Sequence, residues 1–390
     1  MQDLQNAYES IQKPFAWVDL NSLDANIQFI NEQTKSKYVR VATKSVRSVE
    51  MLQYIEKGLH RFNGWMTFTL EETLFLLERG FDNFLIGYPQ LDKLALEKII
   101  PYIVAGKKVV FMVDQMAHWK FLESIGAVHN VVFSMCIDIN MSKDFKFIYF
   151  GTKRSSIHNL EELKQLLEEM KEWKYAKVTG VMGYEAQIAG VADHPVQSYK
   201  KPLIQLLKNR SYHSISSFRK DAVRLVLSYY PTVEFVNGGG SGSISYTCSE
   251  KAVTEITIGS AFYAPSLFSR YDSLQLQPAA GFALQVTRKP EEHVVVCHGG
   301  GYIASGAVGV DKQPKPIYPT GLKLLSLEGA GEVQTPLYDP NQVCHIGDTV
   351  YFRHAKAGEL CERFNELYLS RSGQLEAVFN TYRGDGKCFL

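Results

Sequence analysis

Residues 234–243, Glu-Phe-Val-Asn-Gly-Gly-Gly-Ser-Gly-Ser, have the make-up of an anion cradle. Val233 to Val236 reads as a short strand that runs directly into Gly238, Gly239, Gly240, Ser241, Gly242 and Ser243. Glycines let the backbone turn tightly and bring its N–H groups against a ligand, while serine hydroxyls add donors. A flexible surface turn is the other reading of such a run. No Walker or dinucleotide fingerprint accompanies it, so the cradle points to a phosphorylated substrate or cofactor. A second chemical group stands in Arg40-Val-Ala-Thr-Lys44-Ser-Val-Arg47. A lysine beside phosphate can form a Schiff base, more so where desolvation lowers its pKa. A rim lysine that only neutralises phosphate charge is the alternative. Cys297-His298-Gly-Gly-Gly301-Tyr302 is a further polar, glycine-rich turn. His298 could act as an acid or base, titrating near neutrality, or make a structural bond. Tyr302 is a second acid/base candidate, with core packing its alternative. Glu255, ahead of Ile-Thr-Ile-Gly-Ser, could reach a pocket floor or close a salt bridge in the wall.

These groups need a scaffold, and the chain has the rhythm of one. Strand-like runs occur at 39–43, 64–68, 83–87, 109–114, 131–138, 177–182, 234–237 and 255–259. Amphipathic helical patterns lie between most of them, at 70–79, 91–100, 160–173 and 218–229. Eight strands alternating with helices over about 230 residues predict a (β/α)8 TIM barrel, with a doubly wound open sheet as competitor. Lys44 then sits near the C-terminal end of the first strand and the glycine loop follows the seventh. Barrels commonly bind phosphate at that place and on that face. Pro14 to Leu20 reads as another strand, after which Asn21 or Ser22 caps a helix carrying Leu23, Ile27 and Ile30. Beyond Tyr271 the texture changes to short β-like runs at 281–288, 293–298, 322–327, 349–353, 367–370 and 375–382. We therefore expect a barrel over 14–271 and a C-terminal β domain over 275–390, to which residues 1–20 could also belong.

At 390 residues the chain is long enough for two domains. A net charge of +1 gives no reason to expect nucleic acid or an anionic membrane as partner. The start carries no signal-peptide pattern and no apolar run is long enough to span a bilayer. Six scattered cysteines without a Cys-x-x-Cys pair fit a reducing compartment, so a cytoplasmic location is expected.

The Lys44 stretch, the cradle, the two-domain order and a stretch around His354 together resemble fold-type III pyridoxal-phosphate enzymes. These pair an alanine-racemase-type barrel with a C-terminal β domain. The likeness covers nearly the whole chain and looks closest to the D-threonine aldolase and D-serine dehydratase branch. It implies that Lys44 holds pyridoxal 5'-phosphate covalently, while Gly239, Gly240, Ser241, Gly242 and Ser243 hold its phosphate mainly through backbone N–H groups. Val178–Gln187 is similar to the segment lining the cofactor pocket, which makes Tyr184 and Gln187 candidates there. A buried structural tyrosine is the alternative. Asp138 and Arg154-Ser-Ser look like a stretched form of the family's Asp-x-Gly…Arg-x-Gly segment, so Arg154 could approach a substrate carboxylate. In metal-dependent members a histidine of the β domain is followed two positions later by cysteine or aspartate. The pair holds a divalent ion near the substrate β-hydroxyl. Gly347-Asp-Thr-Val-Tyr-Phe-Arg-His354-Ala-Lys356 matches the lead-in and the histidine but puts Lys356 at the second position. Glu359 or Cys361 could substitute in a zinc or manganese site, or Lys356 could supply the positive charge. Without a metal, His354 is a hydrogen-bonded pocket residue. His298 departs from the family as well, which has an acidic residue near that position.

The activity implied is a lyase cleaving or dehydrating D-β-hydroxy amino acids, with amino acid racemisation as the alternative. In the racemase reading Lys44 is one base and Tyr302 or His298 the other. A cofactor-carrying protein without turnover is a third reading, against which the appended β domain argues. By the same resemblance the partners are a small amino acid and a second copy of the chain in a homodimer.

Overall fold

The structure, a computed structural model, describes residues 2–145, 148–307 and 309–390. Eight parallel strands close into a barrel: β2 (Tyr38–Ala42), β3 (Phe62–Thr67), β4 (Phe84–Ile86), β5 (Val109–Val113), β6 (Phe133–Asp138), β9 (Ala176–Gly183), β10 (Phe235–Gly238) and β11 (Glu255–Ile258). β7 (Lys143–Asp144) and β8 (Tyr149–Phe150) form a separate small hairpin after β6. The expected barrel is therefore the observed one. Inward residues alternate with outward ones along each strand, as a closed parallel sheet requires. Leu85, Val110, Met112, Cys136, Met182 and Phe235 pack together as one buried cluster. Arg40 and Glu255 bridge β2 and β11 as an ion pair, Nε to Oε1 at 2.7 Å, both almost wholly buried. Asn63 and Asn237 donate to the same carboxylate at 2.6 and 2.7 Å. Glu255 thus closes the barrel wall and is not presented to a ligand.

The strand expected near the start forms as β1 (Phe15–Asp19), but outside the barrel. It pairs antiparallel with β12 (Ala280–Glu291) and parallel with β18 (Glu366–Arg371). Around them lie β13 (Val294–His298), β14 (Lys315–Tyr318), β15 (Lys323–Leu324), β16 (Gln334–Tyr338), β17 (Thr349–Arg353) and β19 (Gln374–Asn380), a nine-stranded sheet in all. β14 and β16 were not expected from the sequence. Each carries a proline, Pro316 or Pro336, and proline in a run argues against a strand unless it sits at an edge or in a loose ladder. One buried apolar cluster runs from Ala16 and Val18 through the barrel's outer layer to Val350 and Leu369, so sheet and barrel share a core.

Two helices differ from expectation. The first, Leu20–Gln33, is capped by Asp19, which accepts from the Asn21 N–H and the Ser22 hydroxyl, because β1 turns directly into it. The helix expected at 218–229 is the last part of a 29-residue helix, Lys201–Tyr229. Its buried face includes Lys208, Ser211 and Arg219, so an apolar stripe could not reveal it.

Candidate active site

Lys44 lies in a 3-10 turn, Thr43–Ser45, that directly follows β2 at the C-terminal mouth of the barrel. Its Nζ donates to the hydroxyl of Tyr88, which stands just past β4 on the same face. The Lys44 backbone is also fixed. Arg47, in a left-handed conformation at φ 52°, donates from Nε to the Lys44 carbonyl at 3.0 Å. Arg47 in turn pairs with Glu362 and lies over the Phe68 ring. Gly358, at φ 73°, faces that same Lys44 carbonyl, and a Cβ added there would collide with its oxygen. The second sheet thus buttresses the lysine turn with residues 358–362. Beneath it, Glu72 is fully buried, accepting from the Phe68 N–H at 2.9 Å and the Tyr382 hydroxyl at 3.0 Å. Burial pushes its carboxyl up to about 7 despite these donors.

Two strands round the barrel from Lys44, β10 ends in the glycine loop. Gly239 takes φ 79°, which suits glycine. A turn over Ser241–Ser243 then leads into the helix Ile244–Ser249. The first bond of that turn runs from the Ser243 N–H to the Gly240 carbonyl, so the N–H groups of Ser241 and Gly242 precede it without a partner inside the turn. Of the two serine hydroxyls, that of Ser243 donates inside the protein, while that of Ser241 accepts there and retains its own proton. Ser241 Oγ accepts from the Ala261 N–H at 2.9 Å, and Ser243 Oγ donates to Glu185 at 2.9 Å. A Cβ added at Gly240 would meet Ala189 Cβ and Tyr184 Cε2 at 3.2 Å, and one at Gly242 would collide with the Ala189 carbonyl. The loop is packed so closely here that glycine is required at 242 for steric fit.

Glu185 underpins the loop, and nothing in its sequence setting announced it. Fully buried, it accepts from the Gly239 N–H at 3.2 Å and from the Ser243 and Thr247 hydroxyls. Its charge is met by Arg219 of the long helix, Nη2 to Oε2 at 2.5 Å, and Arg219 pairs with Glu250 through Nη1. All three side chains are 2% exposed or less. The arginine is thus held between two carboxylates directly behind the cradle.

Tyr184 connects the two halves of the mouth. Its ring faces Gly240, and its phenol is within electrostatic reach of Tyr88 and Arg154. Burial first, then the Glu185 charge, raise it to about 12, against the pull of Arg154. Arg154 is exposed at the mouth. Its neighbours anchor it: Ser155 Oγ donates to the Asp138 carbonyl at 2.8 Å, and the Ser156 N–H to Asp114 at 2.8 Å. Asp138 ends β6 partly open to the mouth, and burial and the Asp114 charge push its carboxyl up to about 8. Lys44, Tyr184, Arg154 and the loop are therefore brought together. Gln187 is turned away, its Nε2 donating to the Met141 carbonyl at 2.6 Å.

The candidates in the second sheet are more dispersed. His354 is buried beside Tyr263, with Nδ1 at 3.2 Å from the Ala280 carbonyl and Nε2 without a partner. Burial, then Arg353, depress it to about 3, so it is neutral. The Cys361 thiol donates to the Val46 carbonyl at 3.1 Å, and burial pushes it up to about 12. Among the described residues no group of three or more His, Cys, Asp or Glu side chains could hold a metal. Tyr302 packs edge-on between Phe282 and Phe364, with its phenol raised by burial. His298 ends β13 with an exposed side chain. One cavity of about 370 Å³ opens at the opposite end of the barrel, between Gln53, Asn63, Arg79 and Asn83. Another of about 90 Å³ lies behind the glycine loop, against the Lys208–Asp193 ion pair.

No protein-family model and no curated protein matches this chain. Solved structures do. The D-threonine aldolase of Filomicrobium marinum superposes with a TM-score of 0.81 at 14% identity, over 96% of each chain. The D-threo-3-hydroxyaspartate dehydratase of Delftia sp. HT23 gives 0.74 at 12% identity, over 96% of this chain and 98% of that one. Two variants of that dehydratase also match, one lacking a histidine and one, in the metal-free form, lacking a cysteine two positions later. The alanine racemase of Clostridium difficile, in complex with cycloserine, gives 0.65 at 16% identity, over 95% and 99%. The chain has the barrel-plus-sheet fold of these enzymes.

Proposed function

We propose, from that fold, that the protein is a pyridoxal-phosphate enzyme acting on small amino acids, a lyase that cleaves or dehydrates D-β-hydroxy amino acids. The observation that carries the reading is one mouth holding both a lysine amine and a close-packed glycine turn whose Ser241 and Gly242 N–H groups precede its first internal bond. The cofactor fits these residues. Lys44 would hold it covalently, and the N–H groups of Ser241 and Gly242, with the Tyr184 hydroxyl, would hold its phosphate. When bound, the cofactor supplies a conjugated ring that withdraws electrons, so that a bond at an amino acid Cα can break. Arg154, exposed at the rim, suits a substrate carboxylate through its planar fork. Tyr88 accepts from Lys44 Nζ and so aims the amine that takes or returns a proton at the substrate.

Racemisation is the second reading. It is favoured by Lys356 at the expected second ligand position and by a racemase among the similar structures. A homodimer belongs to the proposal too: Tyr199, Leu203 and Leu206 expose apolar surface beside and on the first turns of the long helix. Among the described residues no helix is long and apolar enough to cross a membrane, and the cysteines are free, in keeping with the proposed cytoplasmic location.

The test is visible absorbance of the purified chain with pyridoxal phosphate, then proton NMR with D-threonine in heavy water. Wild type is expected to hold the cofactor covalently and Lys44→Ala is not. Tyr88→Phe is expected to keep the cofactor while turnover falls. Glycine with acetaldehyde, or 2-oxobutyrate with ammonia, identifies the lyase. Loss of the α-proton signal with the skeleton intact identifies a racemase. Equal covalent capture by Lys44→Ala would refute the assignment.

A further inference from the structure

The similar dehydratase whose cysteine variant is in a metal-free form implies a metal ion in that protein. The corresponding side chains here do not fit one. His354 alone qualifies as a ligand: Nδ1 is directed at the Ala280 carbonyl, and the buried Nε2 carries a lone pair with no partner. Two positions on stands an ammonium, which has no lone pair to donate. Lys356 Nζ donates to Ser305 Oγ at 2.7 Å and lies 3.6 Å from Glu359. Glu359 is itself taken up, accepting from the Ser305 N–H at 3.0 and 3.2 Å. Cys361 is bonded to the Val46 carbonyl. A single neutral imidazole does not hold a divalent ion: the metal-dependent members that this chain resembles supply at least a histidine paired with cysteine or aspartate two positions on, and a metal site needs several ligands at once.

We infer that this enzyme works without a divalent metal, and that Lys356 occupies the place of the missing ligand as a fixed cation clasped by Ser305 and Glu359. The clasp ties residue 305 to residues 356–359, two positions from the Gly358 contact that seats Lys44. The charge therefore stands on the segment that borders the reactive lysine. This inference deepens the proposed function and rests on it for the reaction, though not for the metal content.

The experiment uses the full-length chain loaded with pyridoxal phosphate, incubated with zinc or manganese, desalted and analysed by mass spectrometry of metals. Wild type is expected to retain far less than one ion per chain, and its turnover to be unchanged by EDTA. Lys356→Cys changes an exposed side chain, restores the His-x-Cys spacing with the buried His354, and is expected to retain close to one zinc per chain. Wild type with one ion per chain, or with turnover abolished by EDTA, overturns the inference. Failure of Lys356→Cys to take up zinc overturns the assignment of Lys356 as the residue that excludes it. The underlying reading fails separately, and visibly, if the chain binds no pyridoxal phosphate at all.

Discussion

Replacing Arg219 by methionine should damage the cradle from behind. The side chain keeps its length and loses its charge, leaving Glu185 and Glu250 buried without a counterion and the Gly183 carbonyl without its 2.9 Å donor. Breaking a buried ion pair by removing one partner costs about 3–5 kcal/mol. Against a whole-protein stability of roughly 5–15 kcal/mol, that is a large share. The stranded carboxylates can recover part of it by taking up a proton, so the loss should be greatest at alkaline pH and shrink as the pH falls. Glu185→Gln is the comparison. It keeps an oxygen for the Gly239 N–H and leaves Arg219 paired with Glu250, so its effect should fall on the loop more than on the fold. A loop loosened by about 1.4 kcal/mol would weaken pyridoxal phosphate binding about tenfold. Urea unfolding at two pH values, with cofactor titration followed by absorbance, reads both effects. If Arg219→Met unfolds at the parent midpoint and binds the cofactor with the parent Kd, the argument is wrong.

Two more predictions concern the lysine turn. Glu72 has its carboxyl raised from 4.5 to about 7, so the folded protein holds that proton more tightly than the unfolded chain does. The resulting stability is full below about pH 4.5 and lost as pH rises through 7. Glu72→Gln should flatten that decline and exceed the parent above pH 7 by on the order of 3 kcal/mol, which unfolding midpoints across pH will check. Gly358→Ala should cost about 1–3 kcal/mol by overpacking against the Lys44 carbonyl and should slow turnover. Gly347→Ala, at φ 99° with open space around it, is the control for backbone strain alone, and equal effects of the two would count against the contact.

The barrel was legible because apolar strands and amphipathic helices alternate at a spacing that few folds share. The loop and Lys44 were legible because position in such a barrel gives a residue an address. Glu185 and Arg219 were not, since a buried ion pair joins residues far apart in sequence and each looks like a surface charge on its own. The same blindness hid the first half of the long helix, whose inner face carries Lys208 and Ser211 in place of leucines. Tyr88 was within reach: it follows Ile86-Gly87 at the same strand-end position that singled out Lys44. The Ser243 hydroxyl shows the opposite error, a residue type read as a donor to ligand when the fold had already used it.

β1 has one further consequence, for how the molecule is made. It lies between β12 and β18, so its neighbours are synthesised long after it. At ordinary elongation rates, Ser370 leaves the ribosome roughly 20–70 s after Asp19. Every strand of the barrel emerges in the meantime and can close. Until β12 emerges, Phe15-Ala16-Trp17-Val18 waits as an apolar ribbon with both edges bare, and until β18 follows one edge stays open, a template for pairing with another nascent chain. A ribosome that stalls between residues 271 and 280 would leave a finished barrel trailing one strand with neither neighbour made.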